Sequence, residues 1–151
     1  MNLVERFEAY AAAFEQAFAN DHWSVVEPYF TEDAVYEIVG EPPLSGRHEG
    51  RDAVMAYFKL SLDTFDRRFD SRALERIAGP EQRGDGVWWR YRVTYGIAGA
   101  PDLSFEGEET LEFAGDRIAR LEDRYAEGAV APIMQYMGEH GEKLHPVGGA
   151  A

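Results

Sequence analysis

The run Val87-Trp88-Trp89-Arg90-Tyr91-Arg92-Val93-Thr94-Tyr95-Gly96-Ile97-Ala98 decides the fold. Its β-branched and aromatic residues favour extended chain. Side chains alternate faces along a strand, so Val87, Trp89, Tyr91, Val93, Tyr95 and Ile97 share one side. Trp88, Arg90, Arg92 and Thr94 share the other. This is the period-two pattern of a strand with one buried face. Turn residues bound it: Gly79-Pro80 and Gly84-Asp85-Gly86 before it, Gly99-Ala100-Pro101-Asp102 after it.

Working outward, Leu103 to Phe113 reads as the next strand and Arg117 to Ala126 as the last. The turn Ala114-Gly115-Asp116 joins them. Phe69 to Ala78 is the strand upstream. Hairpin-length links imply antiparallel pairing. Towards the N-terminus, Val54, Tyr57, Phe58, Leu62 and Phe65 form one stripe of a helix over 52–65. Residues 40–50 read as a loop carrying Arg47 and His48, which are either part of a rim or simply exposed. Residues 34–39 read as a short strand. His22 to Phe30 reads as a short helix, and residues 3–20 as a longer amphipathic one. Val130, Ile133, Met134 and Met137 place a closing helix whose methionines cap the fold. Helices followed by a strand meander imply an α+β fold, an antiparallel sheet covered on one face by helices.

Bulk properties bound the function. A chain of 151 residues is one domain in length. It is assigned to residues 1–145, with 146–151 as a frayed tail. The formal charge of −13 excludes nucleic acid and anionic membrane surfaces as partners, since both need a cationic footprint. No cysteine is present, which removes disulfides and thiolate chemistry and fits a cytoplasmic protein. No apolar run is long enough to span a membrane. The four histidines show no ligand spacing, so no metal and no cofactor is expected. The 9 Phe, 8 Tyr and 3 Trp suggest a large core or an aromatic-lined cavity.

Strand parity sorts the charges. Arg90, Arg92, Glu106, Glu108, Glu112, Arg120 and Arg124 fall on the polar face, where opposite charges across strands form a favourable ladder. Glu109 and Asp123 fall on the apolar side. A carboxylate there must be paired, protonated or open to a cavity. Carboxyls of that kind serve proton-transfer enzymes. Gly107 is a candidate bulge, which leaves open whether Glu106 or Glu109 faces inward. Glu37 lies in a strand apolar on both sides, so parity does not place it. Tyr10, Phe14, Tyr57 and Trp89 read first as core. Tyrosine hydroxyls need partners when buried, so Tyr57, Tyr91 and Tyr95 also suit a wet pocket wall.

Three segments carry a family resemblance: Asn20-Asp21-His22-Trp23, Tyr29 to Glu37, and Gly50-Arg51-Asp52-Ala53-Val54 through Phe58. With Gly40-Glu41-Pro42-Pro43 and Arg117-Ile118, they resemble the nuclear transport factor 2-like superfamily. The likeness is to its SnoaL-like polyketide cyclase and ketosteroid isomerase branch. It implies a cone-shaped α+β barrel, with a curved, mostly antiparallel sheet wrapped around N-terminal helices. It also implies a pocket for a small hydrophobic molecule and a homodimer formed through the sheet face. By this resemblance Glu37 matches the isomerase's general base, and Asp123 matches the later-strand acids of cyclases. The isomerase's second acid falls near Glu106, or at Glu109 if the strand is bulged. Its oxyanion tyrosine falls at Ala13 or Phe14, with Tyr10 one turn earlier. The substrate wall would comprise Tyr10, Phe14, Tyr57, Trp89, Tyr91 and Tyr125. Three functions remain open at this point: a cofactor-independent isomerase or cyclase, a binding module, or a dimeric scaffold.

Overall fold

A computed structural model describes residues 2–147. Residues 148–151 of the expected tail lie outside that range. The first helix, α1 (Leu3–Asn20), begins where the Asn2 side chain accepts from the Glu5 amide at 2.8 Å. It ends at Asp21, whose φ of 61° turns the chain out of the helix. Two short 3-10 turns replace the expected second helix, at Trp23–Val25 and Glu27–Tyr29. Pro28 lies inside the second turn and cannot sit in a helix interior.

Six strands form one sheet. They are β1 (Phe30–Val39), β2 (Gly46–Glu49), β3 (Ser71–Arg83), β4 (Gly86–Gly96), β5 (Leu103–Ala114) and β6 (Arg117–Tyr125), in the order β2-β1-β6-β5-β4-β3. β3 to β6 are the expected antiparallel meander. β1 lies parallel to β6. The helix α2 (Arg51–Thr64) joins β2 to β3, and α3 (Val130–His140) closes the chain. The result is an α+β fold with a curved, unclosed sheet.

Three strand boundaries depart from the sequence reading. β1 starts at Phe30, because Phe30 pairs with Ile118 before the Val35 register begins. β2 occupies part of the expected loop, and its Tyr36↔His48 pairing covers the edge of β1. β3 runs through Gly79-Pro80 and turns at Gly84-Asp85 instead. A Pro is tolerated there because β3 is an edge strand.

The helices cover one face. α1 packs on β3 and β4, α2 on β1 and β2, and α3 on β5. Phe7, Phe30, Val54, Val87, Leu111, Ile118 and Leu121 are essentially inaccessible beneath them. The opposite face carries the expected ladder: Arg92 reaches Glu106 at 2.8 Å and Glu75 at 3.2 Å, and Arg90 reaches Glu106 at 3.2 Å.

Candidate functional site

Helices and sheet do not fill the space between them. A cavity of about 910 Å³ remains, walled by α1, α2, α3 and the inner faces of the strands. That volume lies within the range typical of small-molecule sites.

Parity delivers two carboxyls to it. Glu109 of β5 and Asp123 of β6 are register partners on adjacent strands, and both line the cavity. Each keeps partial accessibility, and the space it reaches is the cavity. Asp123 Oδ1 accepts from the Tyr91 hydroxyl at 2.6 Å, and Oδ2 from the Tyr36 hydroxyl at 3.4 Å. Glu109 Oε1 accepts from the Trp89 indole at 3.0 Å. Among the described residues, no Arg or Lys pairs with either acid.

Gly107 makes the Tyr91 contact possible. It sits opposite Tyr91 on one side and Tyr125 on the other. A Cβ there would lie 2.5 Å from the Tyr91 hydroxyl and 2.9 Å from the Arg124 carbonyl. The missing side chain is therefore a notch that lets Tyr91 cross β5 to reach β6. No bulge occurs at Gly107, because the β4–β5 register runs unbroken from Gly86 to Tyr95. Glu109 therefore faces the cavity and Glu106 the outer ladder. The irregularity lies further along, between Glu112 and Phe113 opposite Ile118 to Arg120. It turns Ile118 inward into the core.

The electrostatics follow from this enclosure. Burial pushes Glu109 up to about 8, the neighbouring Asp123 charge adds to it, and the Trp89 N–H opposes it. Burial also pushes Asp123 up to about 6. The Tyr91 and Tyr36 hydroxyls restrain that rise, and Asp66 adds slightly. Two carboxyls this close titrate as one system. Hydroxyl donors favour the charged form of Asp123, so near neutral pH the shared proton rests on Glu109 and the charge on Asp123. Burial, followed by the charges of Glu109 and Asp123, raises Tyr10 well above an ordinary tyrosine.

Glu37 is not part of this site, which corrects the expectation. Tyr36 and Ile38 point inward on β1, so Glu37 points outward. It is bound by Arg120 and lies 3.7 Å from Arg47. The Arg120 guanidinium holds its carboxyl below the usual glutamate range. The position that matters on β1 is Tyr36, which the sequence reading passed over. The alternation Ala34-Tyr36-Ile38 did not single it out, because Val35 and Val39 make the other side of the strand equally apolar.

Tyr10, Phe14, Tyr57, Trp89, Tyr91 and Tyr125 all line the cavity. The hydroxyls of Tyr10, Tyr57 and Tyr125 hydrogen-bond to no other described residue. His48 belongs to β2 and stacks on Tyr57 with ring centres 3.9 Å apart. A further acid, Asp66, also reaches the cavity from the 3-10 turn after α2. Nothing in the sequence distinguished it, because it reads as an ordinary residue just past a helix. Met134 and Met137 line the cavity from α3. No group of three or more His, Asp or Glu converges in a metal-binding arrangement among the described residues. Among those same residues, no helix is long and apolar enough to cross a membrane.

A SnoaL-like domain profile matches residues 10–121. The chain belongs to the SnoaL-like family. Solved structures show the same fold. Bal32a, from a soil-derived mobile gene cassette, is 20% identical with a TM-score of 0.63, covering 83% of this chain and 93% of that one. TerC, co-crystallised with polyporic acid, is 14% identical with a TM-score of 0.63, covering 86% and 98%. An NTF2-like protein from Burkholderia xenovorans is 17% identical with a TM-score of 0.61, covering 87% and 96%. At these identities the likeness concerns fold alone. No curated protein matches the sequence. SnoaL-like membership accounts for the fold, while the chemistry rests on the Glu109–Asp123 pair.

Proposed function

We propose that this SnoaL-like protein is a cofactor-independent isomerase or cyclase that moves a proton on a small apolar carbonyl compound. The observation that carries this reading is the pair of adjacent carboxyls in an aromatic cavity, without a cationic partner. Asp123, the charged member, is the base. It takes a proton from carbon next to the carbonyl, and the C–H electron pair moves onto the carbonyl oxygen. Protonated Glu109 donates to that oxygen as charge develops, and the Tyr10 hydroxyl is a further donor facing the same space. Returning the proton from Asp123 to a different carbon isomerises the substrate. Alternatively, the enolate carbon attacks a second carbonyl within the substrate; the ring C–C bond forms, the first carbonyl is restored, and the new alkoxide takes the proton held by Asp123.

Deuterium exchange tests the first step without knowledge of the natural substrate. Cyclic ketones such as tetralone are incubated in heavy water, and loss of the α-proton signal is followed by NMR. The wild-type protein should accelerate exchange, and Asp123→Asn should lower the rate by about 10²–10⁴-fold, the usual worth of a positioned base. Undiminished exchange by Asp123→Asn would overturn the assignment.

One observation favours a second reading, a binding module without chemistry. Both oxygens of Asp123 already accept from tyrosines, so the network needs no substrate to complete it. In that case Asp123→Asn would leave ligand affinity intact and the wild type would exchange no ketone. The outer ladder is available for subunit pairing in either reading, which sedimentation of the purified protein would test.

A further inference from the structure

Asp123 has two hydroxyl partners, and they are unequal. They reach it from opposite sides of β6, Tyr36 from neighbouring β1 and Tyr91 from β4 across β5. The Tyr91 hydroxyl donates to Oδ1 at 2.6 Å, within the ordinary O–H···O range. The Tyr36 hydroxyl stands 3.4 Å from Oδ2, beyond that range. Their seats differ as well. Tyr91 lies in the Gly107 notch, where a Cβ would come within 2.5 Å of its hydroxyl and 2.7 Å of its Cζ. The Trp89 ring flanks it with centres 5.4 Å apart. Close packing around the end of the side chain keeps the hydroxyl on Oδ1. Tyr36 packs by its ring, against Phe58 at 5.3 Å and Tyr57 at 5.7 Å.

The other charged and titratable groups leave this asymmetry in place. Glu109 on β5 has the Trp89 indole as its own donor. Tyr10 from α1, Tyr57 from α2 and Tyr125 on β6 face the cavity as neutral hydroxyls, their ionisation opposed first by burial. His48 of β2 stacks on Tyr57. Arg72 and Arg76 of β3 are held by Glu15 and Glu8 of α1 at 2.8 Å and 2.7 Å, and Asp66 sits 3.2 Å from Arg72. From α3 come Ile133, Met134 and Met137, none of which titrates.

We propose that the two tyrosines do different work: Tyr91 is a permanent positioning residue that fixes Oδ1 and keeps Asp123 the ionised member of the pair, while Tyr36 is an exchangeable partner that leaves Oδ2 to take the substrate proton. A short bond to an ionised acceptor is strong, so Tyr91 stays in place throughout. A 3.4 Å contact is weak, so little is lost when the substrate C–H displaces it. The proton then passes to Oδ2 and the C–H electron pair to the carbonyl oxygen. Without Tyr91, ionised Asp123 loses its strong donor, and the shared proton moves from Glu109 towards Asp123. The base is then blocked by the proton its neighbour should hold. This rests on the reading of Asp123 as the base.

Two isosteric variants, Tyr91→Phe and Tyr36→Phe, are compared with the wild type in two measurements. One is α-proton exchange on tetralone in heavy water. The other is a carbon-13 NMR titration of the Asp123 and Glu109 carboxyls without ligand. Tyr91→Phe should raise the titration of Asp123 by about one to two pH units, the scale of a hydrogen bond to a charged group. It should lower exchange at pH 7 by about tenfold or more. Tyr36→Phe should move the titration by less than about half a unit and raise exchange by about two- to fivefold, since no donor has to be displaced. Equal titration shifts in the two variants overturn the proposal, and so does a greater loss of exchange in Tyr36→Phe than in Tyr91→Phe. One arm needs no variant to fold. In the wild type, the downfield hydroxyl proton of Tyr91 should persist when tetralone fills the cavity, and its loss overturns the proposal. The titration separates this inference from the catalytic assignment. If the wild type exchanges no ketone while Asp123 titrates higher in Tyr91→Phe alone, the catalytic assignment falls and the unequal clamp stands. If exchange depends on Asp123 while the two variants titrate alike, only the division of labour between the tyrosines falls.

Discussion

Glu37 and Asp123 are near neighbours in the sheet and have opposite fates. Ile38 is the register partner of Asp123, so Glu37 lies one residue away across the β1–β6 pair. One residue is enough to put the two carboxyls on opposite faces. Outside, Arg120 binds Glu37 and lowers its pKa. Inside, enclosure raises Asp123, and tyrosine hydroxyls replace the arginine as its partners. A guanidinium settles a carboxylate's charge and removes it from proton transfer near neutral pH. A hydroxyl stabilises the charge less, so a raised pKa survives, as general base catalysis requires.

The largest expected effect comes from exchanging roles across that pair. Asp123→Asn should cost the full exchange activity, about 10²–10⁴-fold, while Glu37→Gln should retain it, both read by NMR. Equal losses would abolish the distinction between the two faces. Next comes the notch. Gly107→Ala places a methyl against the Tyr91 hydroxyl and the Arg124 carbonyl. It should destabilise the fold by about 1–3 kcal/mol in urea denaturation and lower exchange activity by displacing Tyr91. Unchanged stability would show that Tyr91 need not cross β5.

A third prediction sharpens the electrostatics. Glu109 titrates at about 8 in the fold, far above an ordinary glutamate near 4.3. Between those values the folded chain holds a proton that the unfolded chain has released. Stability contributed by Glu109 therefore falls as pH rises through that window. Glu109→Gln has no such proton to lose, so its melting temperature should decline less between pH 5 and pH 8. At pH 8, where about half of Glu109 has become charged, Glu109→Gln should melt above the wild type, because it has no buried charge to form. Parallel melting curves for the two proteins would show that Glu109 is not enclosed as described. The smallest effect is Glu37→Gln on stability. Its ion pair with Arg120 is only partly buried and is reached by water, so its melting temperature should differ from wild type far less than that of Gly107→Ala.

How far the site was legible depended on strand length. β4, β5 and β6 are long and alternate cleanly, so Glu109, Asp123, Trp89, Tyr91 and Tyr125 could be sorted by parity. β1 offers no such contrast, because Val35 and Val39 on its outer side are as apolar as Ala34 and Ile38 on its inner side. The family resemblance then selected Glu37, and the register of β1 against β6 reversed that choice in favour of Tyr36. Asp66 was illegible for a different reason. It belongs to a single 3-10 turn, where no periodicity exists to read.

By itself, the sequence determined the α+β class, the meander and which side of β4 to β6 is buried. These follow from local rules, since alternation along a strand and spacing along a helix are properties of neighbouring residues. Tertiary structure alone decided that β1 lies parallel to β6, that Gly107 is a notch and not a bulge, and that Asp66 shares a cavity with Asp123. Each depends on which strand lies beside which. That is set by packing the helices over the whole sheet, a global balance of buried area that no short stretch of residues encodes.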